Sequence, residues 1–175
     1  MRRTAIVTQG LITILIACAV ATAGLAAPAG ASTRAGLSVL EREVLTSVNA
    51  ERAARGLAPV RPQADLTCAA RAHARTMAHG SFLSHSSPGG TSFDVRLLRH
   101  GYRRDDYSGW SVGENIASAR IGAVSATPQG MVLLWMQSAA HRSVILSQTF
   151  RDAGVGIHRA GATRFFTLDL GYRQR

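Results

Sequence analysis

Three side chains offer this sequence its chemistry: His85, Glu114 and His141, separated by 29 and 27 residues. Glu114 sits in Gly113-Glu114-Asn115, between Val112 and Ile116. An unpaired charge is costly to bury in such a neighbourhood, so the acid needs donors or a cation. Gly113 permits a close backbone approach, and Asn115 can bond locally. Two neutral imidazoles and a carboxylate form a sound set for Zn²⁺, with one position left for water that would ionise near neutral pH. The same groups allow three kinds of work. His85 and His141 can hold a divalent metal or a small polar ligand while Glu114 orients one imidazole. A metal-dependent hydrolase can use Glu114 as general base. A buried network can simply fix the loops. Ser84 and Ser138 stand close in the chain to the histidines, yet no Gly-x-Ser-x-Gly elbow occurs.

Spacings this long are closed only by a fold, and the elements follow from periodicity. Leu37, Leu40, Val44 and Val48 predict a helix to about Arg55, stopped by Gly56, with Asn49 and Arg52 anchoring the next loop. Pro59 and Pro62 break the pattern. A second helix opens at Ala64 or Asp65 and runs through Leu66, Ala69, Ala70, His73 and Met77, which makes His73 a core histidine and Cys68 a buried inert thiol. Phe82 to Gly90 is a loop by composition and carries His85. Thr91 or Ser92 starts a third helix that ends at Gly101-Tyr102, and Trp110 to Ala119 is extended. Thr127 caps a fourth helix with Pro128 in its first turn, and Met131 through Trp135 predict a deeply buried face. A short fifth helix starts at Ser138 and puts His141 in its first turn. Val155, Ile157, a turn at Ala160-Gly161, then Phe165, Phe166, Leu168 and Leu170 alternate as a hairpin. The fold class expected is α+β: four to five helices around a small antiparallel sheet, in one domain.

The N-terminus reads as a leader. Arg2 and Arg3 precede a run without charge up to Arg34, and Ala29-Gly30-Ala31 offers a cleavage site, so 1–31 is expected to be a signal peptide and 32–175 the released, extracellular domain. Leu15-Ile16-Ala17-Cys18 offers a second route, a membrane-anchored lipoprotein through Cys18, and the run is also long enough to stay in a membrane. The 144 residues from Ser32 to Arg175 hold Cys68 alone, so no internal disulfide can form. They carry 18 arginines, no lysine and ten acids, a net charge of +8. Anionic envelope polymers or lipid headgroups are fitting neighbours. Nucleic acid is not, because the arginines are scattered rather than gathered in a stripe with aromatics. The domain is expected to be a monomer.

Taken in order, Val48-Asn49-x-x-Arg52, Gly56-Leu57-x-Pro59, Ala70-x-x-His73-Ala74-x-x-Met77, Ser84-His85, Gly101-Tyr102, Gly113-Glu114-Asn115-Ile116-Ala117, Trp135-Met136-x-Ser138-x-x-His141-Arg142 and Gly154-Val155-Gly156 resemble the CAP superfamily in its bacterial, SCP-like form. The resemblance implies an α-β-α sandwich whose cleft is lined by two histidines, matched by His85 and His141, and two acids, the first matched by Glu114. Ser138 stands at the second acid's position. It also implies divalent metal bound through the two histidines in some members, and no agreed reaction in bacterial ones.

Overall fold

The computed structural model describes residues 36–175. The leader expected over 1–31, with its alternative processing site at Cys18, lies outside them. Among the described residues no helix is long and apolar enough to cross a membrane. Among the described residues there are five α-helices: α1 Val39–Ala53, α2 Ala64–Gly80, α3 Phe93–Arg99, α4 Pro128–Gln137 and α5 Ala139–Ile145. The strands are β1 Arg61–Pro62, β2 Gly109–Arg120, β3 Asp152–Ala160 and β4 Thr163–Gln174, in the sheet order β1-β3-β4-β2.

The expected C-terminal hairpin is β3 and β4, closed at Ala160 opposite Thr163. β2 pairs antiparallel with β4 along its whole length. The sheet is mixed rather than purely antiparallel, because β1 runs parallel to β3. Two residues are too short to show a period, and Pro62 argues against a strand. On this edge it is tolerated because the neighbouring donors do the pairing: Arg61 N–H to the Arg151 carbonyl and Gln63 N–H to that of Ala153, each at 2.8 Å.

Strand alternation divides the core. Ala117, Ala119, Val155, Phe166, Leu168 and Leu170 meet α1, α4 and α5 on one face. On the other, α2 rests its backbone against Gly154 and Gly156 of β3, and the buried α2 positions Ala69, Ala70 and Ala74 are small. Ile116 and Phe165 join Met77 and Ala78 there. Asn49 anchors the loop after α1 as its spacing suggests, exchanging hydrogen bonds with the backbone of Val60 at 2.9 and 3.0 Å. Thr127 accepts from Gly130 N–H at 3.1 Å and caps α4.

Two burial expectations are corrected. Cys68 is exposed, because it lies two residues past Leu66 and so about 200° round the helix from the stripe. Leu133 and Leu134 are 53% and 41% exposed, while Met131, Val132, Trp135 and Met136 are buried. The inward face of α4 is a narrower arc than its composition suggests.

Candidate functional site

β2 presents Glu114 toward α2 and α3, with its side chain 1% exposed. The charge is met from two sides. One carboxylate oxygen accepts from His85 Nδ1 at 2.8 Å, and the other pairs with Arg96 of α3. Arg96, itself buried, also donates from Nη1 to the His85 carbonyl (3.1 Å) and to Ser87 Oγ (3.2 Å). His73, buried as its place on the stripe of α2 predicts, reaches the Ser84 carbonyl through Nε2 at 2.8 Å. The loop of His85 is therefore clamped by α2, α3 and β2. With Nδ1–H donated to a carboxylate, the lone pair of His85 lies on Nε2. That ring is half exposed.

The next residue along β2 points the other way. Asn115, fully buried, donates from Nδ2 to the His141 carbonyl at 3.0 Å and so holds the start of α5. Gly113 leaves room for Val144 and Phe150 on the same side. Successive residues of Gly-Glu-Asn thus hold the segments that carry the two histidines, from opposite faces of one strand. Burial first and the nearby His85 second keep the His141 pKa below its ordinary value, so its imidazole is neutral at neutral pH. Ser138 joins α4 to α5 as the N-terminal residue of α5: its carbonyl accepts from Arg142 N–H at 2.8 Å, and its hydroxyl caps nothing.

The sequence model of CAP, the cysteine-rich secretory protein family, matches residues 45–170. The chain belongs to the CAP family. An uncharacterized Bacillus subtilis protein, YkwD, is 33% identical over 128 residues, which are 72% of this chain and 45% of that protein. This chain therefore spans less than half the length of that relative. Solved structures with the same fold include an extracellular SCP-domain protein of Bacillus anthracis, with TM-score 0.60, 23% identity and coverage of 77% of this chain and 40% of that one. An outer surface protein of Borrelia burgdorferi gives TM-score 0.65, 16% identity and coverage of 76% and 92%.

Two residues of this CAP domain's cluster escape sequence reasoning. Arg96 is one of 20 arginines and has no distinguishing neighbour. Asp169 does carry a signal, an acid between Leu168 and Leu170 in an alternating strand. It is the cross-strand partner of Glu114, fully buried, and as a carboxylate neither of its oxygens has a hydrogen-bond donor. Burial and then the Glu114 charge raise its pKa well above the usual carboxylate value. Asp169 therefore keeps its proton, which it can donate to Glu114 beside it.

That placement has a sign. Between the ordinary aspartate pKa of 3.8 and its raised folded value, the folded CAP domain binds one more proton than the unfolded chain. Stability must fall as pH rises through that window, by at most about 1.4 kcal/mol per pH unit. Asp169→Asn is expected to be more stable than the parent at neutral pH and to lose that slope in urea denaturation from pH 4 to 7. Equal slopes in the two proteins would place the proton elsewhere.

Among the described residues no three His, Cys, Asp or Glu side chains converge as a metal-holding group. His85, Glu114 and His141 are not such a set: Glu114 is only 1% exposed and turned to His85 and Arg96. What the two rings offer separately is an imidazole oriented by a carboxylate, His85, and one kept neutral, His141.

Proposed function

We propose that this CAP domain is an exported binding module of the bacterial envelope, whose cleft takes a divalent metal such as Zn²⁺, or a small polar ligand, on His85 and His141 without breaking a bond. The observation that carries this reading is the Arg96–Glu114–His85 relay, which fixes the tautomer and direction of a half-exposed imidazole. A ring that only closed a loop would gain nothing from standing half exposed. Export is supported by the basic start, apolar run and small-residue end of 1–31. A bound metal would supply a positive centre for a ligand oxygen. The chain's own part is to present the two ring nitrogens and hold their loops still.

The hydrolase reading has less support. Its general base would be Glu114, whose oxygens already accept from His85 and Arg96 and whose side chain is only 1% exposed, which keeps an attacking water from reaching it. Ser138 supplies no second acid.

Calorimetric titration of metal-free protein with Zn²⁺ is expected to give a single transition with one ion bound per chain. That transition should be lost in His85→Ala and in His141→Ala, with melting temperatures close to the parent's. No heat in the parent would end the metal reading, and unfolding of both variants would favour a purely structural cluster.

A further inference from the structure

Away from the histidine cleft, a hollow of about 290 Å³ lies between the end of α1 and the segment entering β3. Its wall includes Arg52, Arg55, Gln148 and Arg151. Arg52 is fully buried and bonds only carbonyls: Nε to Ala58 (2.9 Å), Nη1 to Ile145 (2.7 Å) and Ser147 (2.9 Å), and Nη2 to Phe150 (3.4 Å). Arg151 likewise directs Nη1 to the carbonyls of Gln148, Thr149 and Phe150. Carbonyl dipoles satisfy donors but carry no net charge. Two guanidinium charges therefore stand together with no carboxylate between them. Burial, and then Arg151, pull the Arg52 pKa below its ordinary value.

The neighbouring acids are committed elsewhere. Glu51 pairs with Arg55, just past the end of α1, at 2.7 Å, and Asp152 accepts from the Tyr102 hydroxyl at 2.8 Å. The C-terminal ends of α1 and α5 contribute at most about half a negative charge each, less than the two cations bring. Arg55 and Arg151 each use only Nη1 on protein partners among the described residues, which leaves Nε and Nη2 as a free fork on both. Paired N–H forks of this kind match the oxygens of a tetrahedral anion.

We propose that this hollow is an anion site for a phosphoryl group, held by Arg55 and Arg151 and drawn by the unneutralised charge of Arg52. The group can come from free phosphate or from a phosphate ester of the envelope.

Calorimetry with inorganic phosphate and with glycerol 3-phosphate, at an ionic strength held constant with chloride, tests the site. Both probes are expected to bind saturably, and Arg151→Gln to weaken them about tenfold, the worth of one charge-assisted hydrogen bond. Tighter binding of glycerol 3-phosphate assigns the site to an ester, and tighter binding of inorganic phosphate assigns it to the free ion. Non-saturating heats from both, or parent affinity in Arg151→Gln and Arg55→Gln alike, overturn the proposal. Should Arg151→Gln fail to fold, Arg55→Gln decides alone: unchanged affinity overturns the site, and a comparable loss supports it.

Discussion

Gly154→Ala is expected to cost about 3 kcal/mol or more, a large share of an ordinary domain's stability. A Cβ on Gly154 would stand 2.1 Å from the carbonyl carbon of Leu66 and 2.3 Å from the nitrogen of Thr67. Gly156 repeats the situation, 2.2 Å from the backbone of Ala70. The obstructing atoms are helix backbone, so no rotamer change relieves the clash. α2 cannot retreat without opening its buried contacts at Ala69, Ala70, Ala74 and Met77. Gly161→Ala is the fitting control: it has φ +56 but open space around it, so it should cost only about 1 kcal/mol of backbone strain. Urea denaturation of the three proteins reads the difference. A loss at Gly154 no larger than at Gly161 would mean that α2 is not seated on β3.

Arg96→Met is expected to be comparably severe, about 3–5 kcal/mol, because it strips a buried carboxylate of its cation. The fully buried Asp169 lies across the sheet and adds a second acid to the same pocket. Without Arg96, Glu114 keeps only His85 as a side-chain donor beside that second acid. The same change releases the His85 carbonyl and Ser87 Oγ, loosening the loop that presents the ring. The double variant Arg96→Met/Glu114→Gln should be more stable than the sum of its single changes allows, since the stranded charge is gone. Strict additivity in a double-mutant cycle would show that the pair does not act as a unit.

Much of this architecture is legible in one dimension because local rules write it there. Thr127-Pro128 marks the start of α4, and the alternation after Val155 marks the hairpin. Gly113-Glu114-Asn115 draws attention because an acid among apolar residues needs partners. What it needs them for is less legible. Arg96 is indistinguishable in sequence from the other arginines, and Ser138, at the position the resemblance assigns to a second acid, proves a helix start with no free carboxylate to offer. β1 is too short to announce itself, and the outward turn of Leu133 and Leu134 depends on where α4 meets α1.

From the sequence by itself come the α+β class, the family resemblance, the order of elements and three of the side chains that matter, because periodicity, caps and residue chemistry are properties of neighbours in the chain. Only the tertiary structure decided that Glu114 is bound by Arg96, that Asp169 stands across the sheet from it, and that α2 lies on bare glycine backbone. Those pairings join residues 18 to 88 positions apart. The charge state of a buried acid depends on which donors the folded chain brings within reach, and chain distance does not encode that.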